Sequence, residues 1–173
     1  MWRPLLLVLA CLALLAAGCG GDDQAEQPAA VAPAAPSGPG EVDVAQIGKD
    51  VAQKPVIALT AGDPPAELQS EDIVTGKGRA AKAGDTVSMQ YVGVSWASGR
   101  QFDASWDRGE PFEFPLGGEQ VIAGWDEGIV GMRPGGRRLL VIPPDKAYGE
   151  QAPSPDIAAN DTLVFVVDLE KVG

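Results

Sequence analysis

The chain has 173 residues and a net charge of −11, from 13 basic and 24 acidic side chains, and it contains no histidine. This acidic balance argues against nucleic-acid binding, which calls for a basic face, and it leaves any membrane association to an anchor rather than to charge. The absence of histidine excludes a Ser-His-Asp triad and histidine-ligated metal sites.

Arg3 is the only charge before an unbroken apolar run from Leu5 to Ala17. That run is too short to span a bilayer and fits a signal-peptide core. It leads into Ala16-Ala17-Gly18-Cys19, which resembles the bacterial lipobox. The resemblance implies cleavage after Gly18, a lipid on the Cys19 sulfur, and a protein held outside the cytoplasmic membrane. Cys11 lies in the discarded piece, so no disulfide within the mature chain is available. Residues 28–40, PAAVAPAAPSGPG, have no apolar periodicity and read as a spacer. The organisation expected is a signal peptide at 1–18, a lipidated cysteine and Pro/Ala/Gly-rich tether at 19–55, and a folded domain at 56–173 with its core at 68–173. Residues 41–55 fit either a tether or chain packed on the domain.

Strand signals dominate the remainder. Residues 68–75 read as an early strand. Thr86 to Val92 alternates apolar and polar side chains, and Ser98-Gly99 is a turn signal, so 86–104 reads as a hairpin. Residues 111–114 alternate again. Arg137 to Ile142 is a strand closed by Pro143-Pro144, and Thr162 to Val172 is the last. Only Val121 to Met132 has helical spacing, through Ile122, Trp125, Ile129 and Met132. Its three glycines each cost about 1 kcal/mol relative to alanine, so this helix must be held by a sheet over its apolar face. The fold class is therefore α+β. Taken singly, Trp125, Phe112, Phe114 and Phe165 read as core side chains, and Asp103 with Arg108 as a surface pair.

Five stretches together resemble the FKBP family of peptidyl-prolyl cis/trans isomerases: QYVG at 90–93, GRQFDASWDRGEPFEF at 99–114, VIAGWDEGIVGM at 121–132, PDKAYG at 144–149 and TLVF at 162–165. The resemblance implies a bent antiparallel β-sheet wrapped around one short α-helix, with an apolar pocket between them. It implies catalytic roles for Tyr91, Phe102, Asp103 and Tyr148, and substrate binding by Arg108, Phe112, Val121, Ile122, Trp125, Ile157 and Phe165. Trp106 is expected to flank the pocket mouth. Gln120, Pro153, Asp156 and Ala158-Ala159 depart from the better-known members, the last four in the loop at 150–160. The partners implied are proline-containing polypeptides, macrolides of the tacrolimus or rapamycin type, and a membrane reached through lipid on Cys19. No cofactor, metal or nucleic acid is implied, and the protein is expected to be a monomer.

The chemistry needs no histidine. Rotation about a peptide bond meets a barrier of about 18–20 kcal/mol because resonance stiffens the C–N bond, and only X–Pro bonds populate cis appreciably. The twisted amide has lost that resonance and is less polar, so an apolar pocket binds it better than the planar form. Lowering the barrier by about 5 kcal/mol accelerates the step several thousandfold. Trp125 would be the pocket floor and Phe102, Phe112 and Phe165 its walls. Tyr148 and the Ile122 amide would donate to substrate carbonyls, and Asp103 would be held by Tyr91 or Arg108. A non-catalytic module holding proline segments in the same pocket is the alternative.

Overall fold

The structure is a computed structural model and describes residues 40–173. The expected signal peptide at 1–18, Cys19 and the expected tether as far as residue 39 lie outside the described residues.

Six strands form one antiparallel sheet: β1 (Gln69–Val74), β2 (Thr86–Ser95), β3 (Gln101–Ala104), β4 (Phe112–Pro115), β5 (Gly136–Ile142) and β6 (Leu163–Val172). The order is β1-β5-β6-β2-β3, and β4 also pairs with β2. The long strand β2 thus serves two partners along one edge, β3 at its C-terminal half and β4 at its N-terminal half. Register shifts interrupt the ladders at Asp72/Val74, Ser88/Met89 and Gly93/Val94. Such irregularities bend a strand and increase its twist.

Two short helices complete the fold, α1 (Ser105–Arg108) and α2 (Ala123–Gly128). α2 is half the length that the spacing at 121–132 predicts. It is capped at Ile129, and Gly131 turns the chain with a φ of 87°. Met132 still reaches the core. The glycines that weaken α2 as an isolated helix are what lets it dock. A Cβ at 124 would lie 2.3 Å from Cγ2 of Ile142, and one at 128 would lie 2.7 Å from Cδ2 of Leu140. One turn apart on the same face, the two glycines bring the α2 backbone down onto β5.

The front face of the sheet buries Val87, Met89, Phe114, Leu140, Ile142 and Leu163 against Trp125, Ile129 and Met132. The back face is buried as well. Val164 and Val166 of β6 pack there with Leu139, Val141 and Ile47, so the first seven residues of β6 are buried in unbroken succession. A near-continuous apolar run, broken here only by Asp168, rather than an alternating one is what a strand covered on both faces carries.

The back cover is an N-terminal arm formed by residues 40–63. The tether expected to extend to Pro55 therefore gives way to packed chain by Gly40. The Gly40 amide donates to the Asp63 carbonyl at 2.8 Å, Val42 bridges Leu59, and Ile47 is 1% exposed. Arg137 donates to the carbonyls of Ile47, Gly48 and Gln53 at 3.3, 3.1 and 2.7 Å. Composition around Pro55 conceals this because the arm has little regular structure, a single 3-10 turn at Val44–Gln46. The carbonyls of Ile47, Gly48 and Gln53 are satisfied by a distant arginine rather than by a local ladder.

Candidate functional site

The site grows from one close approach. Gly93 on β2 faces Phe165 on β6 across the ladder. A Cβ at 93 would come within 2.7 Å of ring atoms of both Phe102 and Phe165. With no side chain there, the two rings meet edge to face over the strand, centroids 5.5 Å apart at 88°. Trp125 enters from α2 and meets Phe165 at 5.2 Å and Tyr91 at 5.0 Å, again edge to face. Phe112 on β4 closes the side, 6.2 Å from Trp125. Edge-to-face pairs satisfy the ring quadrupoles and fix the rings against each other.

These rings enclose a pocket of about 200 Å³, lined by Phe102, Phe112, Trp125 and Phe165 together with Val121, Ile122, Tyr91, Asp103, Tyr148 and Gln120. Other hollows, of about 430 to 490 Å³, lie along the back of the sheet and between loops. They lack this convergence of rings on a few polar groups, which marks a ligand site better than volume does.

Three polar groups form a connected unit at one side. Tyr91 donates its hydroxyl proton to Asp103. Arg108 donates to the other Asp103 oxygen at 2.5 Å and to the Tyr91 hydroxyl at 2.8 Å. The two holders of Asp103 left open by the sequence thus act together. Burial, followed by the Asp103 hydrogen bond, pushes the Tyr91 phenol up to about 12. Tyr148, on the loop after β5, is raised by burial and then by the Asp103 charge. Arg108 is raised, chiefly by its hydrogen bond to Tyr91.

Arg108 reaches the unit from α1, a four-residue helix with no side-chain N-cap. Such a helix cannot stand alone. Ser105, fully buried, accepts from the Tyr91 amide at 2.8 Å and donates to Gln90 at 2.5 Å. Asp107 accepts from Lys54 at 2.6 Å and Gln101 at 2.8 Å. The Lys54 and Gln101 hydrogen bonds hold its carboxyl below the usual carboxylate range.

At the opposite side, Ile122 is the N-cap of α2, and its carbonyl accepts from Trp125 at 2.9 Å. Its own amide has no backbone partner among the described residues. The Trp125 indole N–H is buried and likewise has no partner among them. No cluster of acidic, histidine or cysteine side chains among the described residues is arranged to hold a metal ion.

The structure gathers ten lining residues at the pocket, nine of them predicted from the sequence; the tenth, Gln120, stood out in the sequence only as a departure. Two predicted residues sit elsewhere. Ile157 is 5% exposed and packs into the front core, and it does not line the pocket. Arg108 acts from behind, through Asp103 and Tyr91. Trp106 is not at the mouth. It packs with Val92, Val94 and Ala104, because Val92 and Val94 alternate with Tyr91 and Gly93 and face the other side of the sheet. Gly93 carries no side chain to read, and its position in the QYVG stretch was its only signal.

The FKBP-type peptidyl-prolyl cis-trans isomerase family matches residues 77–170. An FK506-binding protein of Streptomyces anulatus is 51% identical over 121 residues, 69% of this chain and 98% of the relative. A probable FK506-binding protein of Corynebacterium glutamicum is 48% identical over 117 residues, 68% and 97% of the two chains. The crystal structure of AtFKBP13 is 35% identical with a TM-score of 0.56, covering 63% of this chain and 95% of that one. The chain belongs to the FKBP-type peptidyl-prolyl cis-trans isomerases.

Proposed function

We infer that the aromatic pocket is where this isomerase binds and twists the X–Pro bond. The observation that carries this is the convergence of Phe102, Phe112, Trp125 and Phe165 on one small cavity whose polar groups stand at its sides. A proline ring seated among these rings leaves water, and the preceding amide is held in surroundings that favour its less polar, twisted form. Tyr148 and the Ile122 amide donate to the flanking carbonyls and fix the peptide while the bond turns. Asp103, held by Tyr91 and Arg108, presents a fixed charge beside the reacting amide at no reorganisation cost. No bond is made or broken and no proton is transferred.

The clients are proline-containing polypeptides, and a macrolide of the tacrolimus or rapamycin type fits the same apolar pocket. That ligand reading is supported by the names of the two bacterial relatives. The apolar run and Cys19 support export and a lipid anchor, so the clients are proteins folding outside the cytoplasmic membrane. The monomeric reading rests on the sequence alone.

The test is cis-to-trans exchange of Xaa-Pro peptides, followed by NMR, with the chain from residue 19 carrying Cys19→Ser. Acceleration that Phe102→Ala and Asp103→Leu each reduce at least tenfold, with folding retained, supports this site. Unchanged turnover in both folded variants refutes it. Incorporation of labelled palmitate into the full chain but not into its Cys19→Ser variant tests the anchor.

A further inference from the structure

The segments lining the pocket, residues 100–125 and 143–160, carry only three cations, and all three are engaged. Arg108 pairs with Asp103 at 2.5 Å, Lys146 with Glu127 at 2.6 Å and Arg100 with Asp156 at 3.9 Å. The same segments carry eight acids, Asp103, Asp107, Glu110, Glu113, Glu119, Asp145, Glu150 and Asp156. Three of these are exposed, have no ion-pair partner among the described residues, and stand within two residues of a pocket-lining side chain on three different loops. Glu110 precedes Phe112, Glu119 adjoins Gln120, and Glu150 follows Tyr148. Glu113 does not belong with them, because it alternates with Phe112 and Phe114 and faces the other side of β4.

Glu119 is also fixed in place. Its φ is 53°, a left-handed conformation uncommon outside glycine. The Asp126 carboxylate holds it there, accepting from the Gly117 amide at 2.7 Å and from the Glu119 amide at 3.0 Å. The carboxylate beside Gln120 is therefore attached to a pinned backbone rather than a wandering loop. Independently, Trp125 lines the same pocket, and its buried indole N–H has no partner among the described residues.

We propose that among proline-containing segments this pocket selects those with lysine or arginine within two or three residues of the proline, through the field of Glu119, Glu110 and Glu150. The proposal rests on the pocket being the isomerase site. Unpaired carboxylates around a low-dielectric pocket raise the local concentration of cationic substrate and its on-rate. Because all three are exposed, the selection acts at range and is screened by salt.

The experiment measures kcat/KM by NMR exchange for three peptides that share an Ala-Pro core and differ two residues before proline in Lys, Gln or Glu. The chain from residue 19 with Cys19→Ser is compared with the same chain carrying Glu110→Gln, Glu119→Gln and Glu150→Gln. At low ionic strength, where the screening length is about 30 Å, the Lys peptide is expected to exceed the Glu peptide about threefold to tenfold. At 1 M salt, where that length is about 3 Å, the ratio should fall below about two. The triple variant should lose the ratio while turning over the Gln peptide as before. Equal rates for the three peptides, or a ratio that survives 1 M salt or the triple substitution, would overturn the proposal and leave the isomerase site standing. No acceleration of any peptide would instead sink the site itself.

Discussion

Arg137 and Asp168 form a buried, two-pronged ion pair on the face of the sheet opposite the pocket. Nε meets Oδ1 at 2.5 Å and Nη2 meets Oδ2 at 2.7 Å, and the residues are 1% and 3% exposed. They sit directly across the β5–β6 ladder. The remaining Arg137 donors go to the arm carbonyls of Ile47, Gly48 and Gln53.

Breaking this pair should therefore cost more than breaking any surface pair. Asp168→Asn leaves a guanidinium buried with one charge uncompensated, and a loss of about 3–5 kcal/mol is expected. Lys54→Met, which removes an exposed pair with Asp107, should cost far less, because an exposed pair is solvated and screened. Urea unfolding of the two variants checks the ranking.

Gly93→Ala should damage activity more than stability. The added methyl group would meet Phe102 and Phe165 ring atoms at 2.7 Å, and Phe102, only partly buried, is the side free to yield. The expected result is at least a tenfold fall in kcat/KM, with unfolding free energy reduced by about 1–3 kcal/mol, the usual range for overpacking. Peptide exchange rates and urea unfolding on one preparation separate the two effects.

Gly124→Ala opposes two effects of opposite sign. Helix propensity favours alanine by about 1 kcal/mol. Its Cβ would lie 2.3 Å from Cγ2 of Ile142, which is fully buried. Overpacking of that kind costs about 1–3 kcal/mol, and α2 is short and packed directly on β5, with little room to retreat. Net destabilisation by urea unfolding is expected; a stabilised variant would show that the helix is not seated as described.

Activity should be flat from pH 6 to 9. The chain has no histidine, and the Tyr91 and Tyr148 phenols are both shifted upward, Tyr91 to about 12. The sign for stability follows from the same shift. The unfolded phenol ionises near 10 while folded Tyr91 keeps its proton to about 12, so its contribution is complete below pH 10 and is lost as pH rises from 10 to 12. Exchange rates across pH 6–9 test the first statement. Tyrosinate absorbance followed through the alkaline transition tests the second.

Much of the fold was legible because its signals are local. Period-two runs marked β2 and β4, Ser98-Gly99 marked the hairpin turn, and Pro143-Pro144 ended β5. The five stretches from QYVG to TLVF carried the family and nine of the ten pocket-lining residues, because the aromatic side chains that build the pocket are the same ones that pattern the strands.

What the sequence determined alone was identity of side chain and period, hence the strands, the helical face of Trp125, Ile129 and Met132, and a chemistry without histidine. The tertiary structure decided everything that depends on which face or which distant group a residue meets. It sent Trp106 to the back of the sheet, against Val92 and Val94, and Ile157 into the core, because the direction of a side chain on a short helix or a loop is set by what it packs against. It turned the glycines at 124 and 128 from helix breakers into contact points, because their role is defined by Ile142 and Leu140. It attached residues 40–63 to the domain, because carbonyls without a local ladder found their donors on Arg137, some ninety residues along the chain. Non-local satisfaction of this kind leaves no period in the sequence.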